Sequence, residues 1–173
     1  TDGEIKMLSK YNLYVGGSHD GSSLTAYGEE ATGIQDSTML GLVSGQTVRN
    51  GTTKFSNTNY WSSTVSTYPA YVYDSNSTLY NYVESYRTYL ESQGAEIEEA
   101  RLIKVEELEA LGCSMAGLHC LEAPSWVYGT SYWSGAARVS NTVWYVNSIG
   151  AFGYNYFSYS STIGVRPVIV LKS

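Results

Sequence analysis

The chain has 173 residues, enough for one domain with a hydrophobic core but too few for two such domains. Hydrophobic residues make up 43% of it and charged residues 15%, a composition that indicates a folded globular protein. The net charge of −6 and the scattered cations argue against a nucleic-acid partner, since phosphate binding needs clustered Lys and Arg. Many of the 17 tyrosines are predicted to be exposed, because each hydroxyl needs water or a partner.

The first sixty residues predict short strands separated by loops. Polar and apolar residues alternate over 10–15, a glycine pair follows, and 38–43 could be a short helix or strand. No apolar run is long enough to span a membrane, and no signal peptide is visible. We therefore expect any anchor or export signal to lie upstream of this chain.

A first amphipathic helix is predicted over residues 78–93. Its apolar side chains recur at spacings of four, three and four residues: Leu79, Val83, Tyr86 and Leu90. The segment before it offers three N-cap candidates: Asp74, Ser75 and Ser77. Gly94 offers the left-handed backbone that ends a helix. We expect the apolar stripe to pack against a sheet.

A strand at 100–103 is predicted to lead into a second helix over 105–111, which Gly112 ends. Three carboxylates lie in the early turns of this helix: Glu106, Glu107 and Glu109. They could be mistaken for a catalytic cluster, but neither a His nor a metal ligand accompanies them. We interpret them as a solvated face that is favourable at the positive end of the helix dipole.

Cys113 and Cys120 are the only cysteines, and their spacing can close a small loop. We favour a disulfide over two free thiols, and a disulfide suits an oxidising, extracellular setting. The pair lacks neighbouring His or carboxylate ligands, so it makes a poor zinc site and no metal is predicted.

The composition changes after Glu122, the last acidic residue. Residues 143–146 predict a buried central strand, and 164–171 predict another strand with Pro167 near its start or edge. Between 139 and 162, Tyr, Ser, Gly and Asn fill 14 of 24 positions and no residue is charged. This composition is typical of an antibody paratope and favours a binding surface. The alternatives are a flexible linker, an exposed sheet with aromatic cross-strand pairs, and an aggregation-prone stretch.

No catalytic residue and no cofactor are predicted. His19 and Asp20 follow a Gly-Gly-Ser run, but Asp20 stands where a nucleophile elbow needs glycine. His119 lies inside the small cysteine loop and is predicted to be structural or solvated. The long Tyr-rich C-terminal segment offers little acid–base chemistry.

Several strings carry a family resemblance: 101–109, 132–134, 143–147 and 164–168, with looser matches at 33–36, 59–62 and 68–74. They resemble the formylglycine-generating-enzyme branch of the C-type-lectin fold. The resemblance implies one α+β, C-type-lectin-like domain over 1–173, with loop-rich mixed or antiparallel sheets and two helices. The reactive cysteine pair of those enzymes is not matched, because Cys113 and Cys120 precede the Trp motifs. The sugar-binding triplets of calcium-dependent lectins are also missing, which disfavours calcium-mediated glycan binding.

Within this branch the chain is most similar to variable proteins of diversity-generating retroelements in gut bacteria and their phages. Such elements randomise template adenines, and a randomised Asn codon never yields Lys, Gln, Glu, Met or Trp. Over 139–162 the first four are absent, and the only tryptophan is Trp144. The resemblance implies a variable region at 139–162 with these ligand-binding positions: Val139, Ser140, Asn141, Thr142, Ile149, Ala151, Gly153, Tyr154, Asn155, Tyr156, Ser158, Tyr159, Ser160, Ser161 and Thr162. It implies these scaffold positions: Trp133, Trp144, Tyr145, Val146, Phe152, Phe157, Gly164, Arg166 and Pro167.

The function that this resemblance implies is non-enzymatic binding of an unknown protein or glycan ligand by the variable surface. We expect the domain to act outside the cell, at the cell surface or on a phage particle, without touching the membrane itself. Related chains can carry a pilin-like N-terminal helix. The alternatives are a structural surface or minor pilus subunit and, less favoured, a formylglycine-generating-enzyme-like oxidoreductase. We expect the rings of Tyr154, Tyr156 and Tyr159 to be exposed. Trp144 is expected to be buried, with Trp144→Ala costing roughly 3–5 kcal/mol of stability.

Overall fold

The computed structural model describes residues 3–10, 12–13, 53–159 and 163–173, and the backbone of three two-residue strands between 25 and 43. Numbered in chain order, the elements are β1 Ile5–Leu8, β2 Asn12–Leu13, β3 Thr25–Ala26, β4 Glu29–Glu30, β5 Leu42–Val43, β6 Ala70–Tyr71, α1 Tyr80–Ser92, β7 Ile97–Arg101, α2 Val105–Ala110, β8 Tyr132–Val139, β9 Thr142–Asn147, β10 Ala151–Tyr156 and β11 Val168–Leu171. A 3-10 turn at Ser125–Tyr128 precedes β8.

The described part has an α+β fold with two helices and antiparallel strand pairing, as predicted. A three-stranded sheet has the order β1-β11-β7, and a four-stranded sheet has the order β10-β9-β8-β6. Two small sheets pair β2 with β5 and β3 with β4. The four-stranded sheet carries most of the segment predicted to bind, and β10 lies at its edge.

Helix α1 confirms the first helix prediction with trimmed ends. Leu79 and Val83 of the apolar stripe are fully buried, and Gly94 has a φ of +93°, so the left-handed stop is confirmed. The predicted N-caps are wrong, because Leu79 occupies the cap position without a side-chain hydrogen bond. The Ser77 hydroxyl instead accepts the Asp74 backbone N–H and pairs with the Tyr60 hydroxyl.

Helix α2 begins at Val105 as predicted and ends at Ala110, one residue early. Gly112 follows with a φ of +107°, and a Cβ there would lie 2.8 Å from the carbonyl oxygen of Glu122. Glycine is therefore required at this position by both its backbone conformation and the close approach of the chain.

Strand β9 is central in its sheet, as predicted, because it pairs with β8 on one side and β10 on the other. Strand β11 starts only at Val168, directly after Pro167, which fits the predicted place of this proline. The strand expected at 100–103 lies earlier, at Ile97–Arg101. The carbonyl of Leu102 accepts the Tyr71 hydroxyl and the Arg101 guanidinium instead of a ladder partner.

Two hydrophobic clusters cover different parts of the four-stranded sheet. The main cluster packs Trp133, Ala137 and Val143 of one sheet face with residues of α1. The second cluster covers part of the opposite face, where Val146 and Phe152 lie with other buried residues. One face of the sheet therefore packs against the main cluster, while the second cluster, among the described residues, covers one end of the other face.

The predicted disulfide between Cys113 and Cys120 is present, and both residues belong to the second cluster. Across the described ranges, neither helix is long and apolar enough to cross a lipid bilayer. The predictions at His19 and Asp20, at 33–36, over half of 10–15 and over most of 38–43 lie outside the described residues.

Candidate binding surface

The exposed half of the four-stranded sheet is formed by β9 and β10. Side chains alternate between the two faces of a strand, so the register places Trp144 beside Tyr154 and Thr142 beside Tyr156 on the outer face. Val146 and Phe152 share this face but lie at the end that the second cluster covers. Tyr154 and Tyr156 are therefore left uncovered, with exposed fractions of 52% and 59%.

The turn between β8 and β9 adds polar groups to the same end of the sheet. Ser140 and Asn141 form this two-residue turn and are both exposed, and Ser158 is exposed just beyond β10. We call Ser140, Asn141, Tyr154, Tyr156 and Ser158 the display surface. It combines aromatic rings with small hydrogen-bonding side chains on a rigid sheet.

Arg138 lies beside the display surface and stacks on its aromatic rings. The guanidinium carbon is 3.9 Å from the centroid of Tyr154 and 5.7 Å from that of Trp144. The rings of Trp144 and Tyr154 meet edge to face at 5.7 Å. Cation–π attraction and the ring contact hold these three side chains in one arrangement.

An open pocket of about 280 Å³ lies at this place. Its lining residues come from the end of β8, the turn, and the facing halves of β9 and β10: Arg138, Val139, Asn141, Thr142, Tyr154, Asn155 and Tyr156. The Thr142 side chain is only 7% exposed, and its hydroxyl has no hydrogen-bond partner. The pocket thus contains a cation, amide groups and an unsatisfied hydroxyl.

The predicted variable positions differ widely in exposure. Those exposed are Ser140, Asn141, Ile149, Tyr154, Tyr156 and Ser158, while those half-buried are Val139, Ala151, Gly153, Asn155 and Tyr159. Thr142 is buried, and Ser160, Ser161 and Thr162 lie outside the described residues. The expectation of three projecting rings holds for Tyr154 and Tyr156. It is wrong for Tyr159, which packs against the main cluster.

Two predicted variable positions have little room for a different side chain. Thr142 is enclosed in the sheet, and a Cβ at Gly153 would lie 2.5 Å from Cζ of Tyr145. A larger residue at Gly153 must displace this ring, which is packed against the main cluster. Free exchange is therefore sterically limited at both positions.

Ile149 and Ala151 lie at the opposite end of the β9–β10 hairpin. Ile149 is 76% exposed in the turn after β9. Ala151 begins β10 and lies about 10 Å from Tyr154 along the strand, at roughly 3.4 Å per residue, and Ile149 lies beyond it in the turn. The predicted variable residues therefore form two separate groups, and only the group around Tyr154 contains the pocket.

The predicted scaffold positions are mostly interior. The buried ones are Trp133, Val146, Phe152, Gly164, Arg166 and Pro167, and the half-buried ones are Trp144, Tyr145 and Phe157. The expectation that Trp144 is buried holds only in part, because this half-buried ring packs against the second cluster on one side and contacts the exposed Tyr154 on the other. Trp133 is the fully buried tryptophan of this region, and its indole N–H donates to the Thr53 carbonyl at 2.9 Å.

Sequence reasoning missed the role of Arg166. This side chain is fully buried, donates to the Thr130 hydroxyl at 2.9 Å and to the Trp126 carbonyl at 2.7 Å, and stacks on Tyr132 at 4.5 Å. Burial lowers the pKa of its guanidinium to about 10. Arg166 thus joins the last segment of the chain to the 3-10 turn and to β8.

The glutamate-rich start of α2 differs from the predicted solvated face at one residue. Glu106 and Glu109 are exposed, but Glu107 accepts two hydrogen bonds from Arg101, at 2.7 and 2.8 Å. It also accepts the Lys104 backbone N–H at 3.0 Å, which caps the helix. Glu107 is therefore a structural residue. Within the described ranges, no group of three or more His, Cys, Asp or Glu could hold a metal ion.

Comparisons of this chain with protein-family models, curated proteins and solved structures found no match.

Proposed function

We propose that this chain is a non-enzymatic, ligand-binding domain of the C-type-lectin fold and the variable protein of a diversity-generating retroelement. The display surface binds its ligand, which is a protein or a glycan. The sequence strings that resemble that family support the assignment, as do the α+β architecture and the absence of diversification-incompatible residues at the predicted variable positions.

The observation that carries the proposal is the exposure of Tyr154 and Tyr156 on a sheet whose opposite face packs against the main hydrophobic cluster. Large aromatic side chains normally lie inside a protein, and exposed ones beside polar turns mark interaction sites. Here they stand next to Ser140 and Asn141, which adapt their hydrogen bonds to different partners. The buried face fixes the backbone, so ligand binding needs little ordering of the surface.

An extracellular setting is part of the proposal. The disulfide between Cys113 and Cys120 supports it, because such bonds persist in oxidising compartments. The uncharged display surface also favours contact recognition over long-range attraction of a polyanion.

Sequencing gene copies from the source population tests this function. We expect substitutions to concentrate at codons 140, 141, 154, 156 and 158, with a reverse transcriptase and a near-copy of the C-terminal coding segment nearby. Codons 80–92 of helix α1 serve as the internal control and are expected to stay constant. A uniform 139–162 segment, or substitutions spread evenly over both segments, would contradict the proposal.

A structural surface or pilus subunit is the second candidate, and one observation favours it. Strand β1 is an edge strand, and its Ile5 and Met7 side chains are 59% and 47% exposed. Such an edge can pair with another chain. Sedimentation of the wild type and of Ile5→Lys/Met7→Lys separates the candidates. Assembly that the double substitution abolishes supports the subunit function, and a concentration-independent monomer contradicts it.

A further inference from the structure

Arg138 is the only charged side chain between residues 123 and 159. It stacks 3.9 Å above Tyr154, and no carboxylate of the described residues pairs with it. Stacking leaves the edge of a guanidinium, with its N–H donors, available for an anion. This face of the sheet therefore presents a cation whose position is fixed by an aromatic ring and whose charge no described carboxylate compensates.

The pocket beside Arg138 contains further hydrogen-bond donors. Thr142 places a buried hydroxyl without a partner among its lining residues, and Asn141 adds an amide group. An unsatisfied buried hydroxyl costs free energy until something bonds to it. Arg138, this hydroxyl and the Asn141 amide together complement a small group with negative charge and several acceptor atoms.

We propose that this pocket binds one carboxylate of a protein ligand, an Asp or Glu side chain, with Arg138 as its ionic partner. The inference rests on the proposed function and specifies that its ligand carries an exposed carboxylate. A planar guanidinium matches a carboxylate with two parallel hydrogen bonds. A phosphate-rich ligand would need several cations and would be repelled by the net charge of −6.

A protein ligand is favoured over an acidic glycan by the residues around the pocket. Arg, Tyr and Trp are the residue types enriched at the energetic centres of protein interfaces, and here Arg138, Tyr154 and Trp144 are in mutual contact. Arg138 also lies outside the positions predicted to vary. It therefore supplies one constant contact, while its exchangeable neighbours select among acidic partners.

The experiment is an NMR titration of the whole chain with two probes, N-acetyl-glutamate N-methylamide and its glutamine counterpart. We expect the glutamate probe to shift the Arg138 side-chain signals and the Tyr154 and Tyr156 ring signals. Its affinity should be at least about tenfold higher than that of the glutamine probe, the effect of one charge-assisted hydrogen-bond pair. Arg138→Gln should remove this difference, and Arg138→Lys should retain part of it.

Arg87→Gln is the matched control, because Arg87 lies on α1 next to Glu84 and Glu91 rather than near the pocket. It should leave the glutamate titration unchanged. Equal shifts by both probes, or an unchanged preference in Arg138→Gln, would overturn the proposal. So would stronger binding of inorganic phosphate or N-acetylneuraminic acid, the latter assigning the pocket to acidic glycans. If Arg138→Gln does not fold, the proposal is tested by comparing the affinities of the glutamate and glutamine probes for the wild type and for Arg138→Lys.

The outcome is separable from that of the proposed function. Gene copies that vary at codons 154 and 156, with a failed glutamate titration, contradict only the carboxylate pocket. Uniform gene copies contradict the diversified binding protein, whatever the titration shows.

Discussion

Tyr154 and Tyr156 lie two residues apart on the same face of β10, yet their surroundings differ. Tyr154 contacts Arg138 and Trp144, whereas Tyr156 is the more exposed of the two. Both are predicted to serve binding rather than folding. Substitution at either position should therefore cost much less stability than substitution of a core tyrosine.

We predict that Tyr156→Ala changes the free energy of unfolding by less than about 0.5 kcal/mol, the usual size for an exposed site. Tyr154→Ala should lower it by about 0.5–1.5 kcal/mol, because the stacking with Arg138 and Trp144 is lost. Urea denaturation measures both. Tyr132→Ala is the control with a fully buried ring and should cost about 3–5 kcal/mol. A loss above 2 kcal/mol in Tyr156→Ala would show that this ring supports the fold.

The two tryptophans on neighbouring strands give a second prediction. Trp133 is fully buried, and its ring meets those of Phe55 and Tyr145 at about 6 Å, so Trp133→Ala should cost about 3–5 kcal/mol. Trp144 is only half-buried, and Trp144→Ala should cost about 1–3 kcal/mol. Calorimetric unfolding of both variants compares them. A larger loss at Trp144 than at Trp133 would contradict the half-buried position of Trp144.

At the scale of the element, the start of α2 depends on one carboxylate. Burial acts to raise the pKa of Glu107, but the hydrogen bonds and charge of Arg101 and the bond from the Lys104 backbone outweigh it and lower this pKa. Burial likewise acts to lower the pKa of Arg101, and its pairing with Glu107 and Glu99 raises it. Glu107 therefore joins β7 to α2 in its ionised form.

We predict that Glu107→Gln lowers the free energy of unfolding by about 2–3 kcal/mol at neutral pH, because Arg101 is left buried with a weaker partner. Since the folded pKa of Glu107 is below its unfolded value, this stabilisation is present above pH 4.5 and is lost as the pH falls through the folded pKa. Urea denaturation across this pH range measures it. Glu106→Gln, at an exposed position of the same helix, should change stability by less than about 0.5 kcal/mol. Equal effects of the two substitutions would contradict the structural role of Glu107.

At the scale of the whole molecule, tyrosines whose hydroxyls have a raised pKa set the response to alkali. Burial raises the pKa of several hydroxyls, most clearly those of Tyr60, Tyr71, Tyr73 and Tyr132. A group with a raised folded pKa stabilises the fold fully below its unfolded pKa, here near 10, and progressively less as the pH rises through the folded value. Arg166 acts in the opposite direction, because its folded pKa is lowered.

Because four tyrosines outweigh one arginine, we predict that stability falls above about pH 10 and that these tyrosines ionise only as the chain unfolds. Tyrosinate absorbance and far-UV circular dichroism, followed in one titration, measure this. Complete ionisation of all tyrosines with an unchanged dichroism spectrum would contradict the raised pKa values of these four hydroxyls.

The regular elements could largely be predicted from the sequence, because their signals are local. The spacing of Leu79, Val83 and Leu90 predicted α1, and the β-branched and aromatic run around Val143 predicted the central strand. The exposed rings of Tyr154 and Tyr156 followed from composition. These features depend on periodicity and on residue type, which are visible in any single chain.

The remaining features depend on contacts between distant segments, which no local pattern encodes. In the sequence, Glu107 cannot be distinguished from its exposed neighbours. Only the structure shows that Arg101 donates a hydrogen bond to it at 2.7 Å. Trp144 has the same strand-forming surroundings as a core residue, and only the incomplete cover of the outer sheet face leaves it half-exposed. The stacking of Arg138 on Tyr154 needs the pairing of three strands, so a lone arginine in the sequence gave no signal of it.

The hairpin that carries the tyrosines is fastened at both ends by main-chain hydrogen bonds. At the turn, Cys120 donates to Gly150 and Phe152 donates to Leu118 inside the disulfide loop. At the other end, Phe157 donates to Asn141 and accepts from Ser56. A slip of β10 by one residue would exchange its two faces, turning Tyr154 inward and Gly153 outward. These hydrogen bonds at both ends of the hairpin oppose such a slip. A substitution between them therefore changes the side chain that a partner contacts, while the same positions of β10 stay exposed.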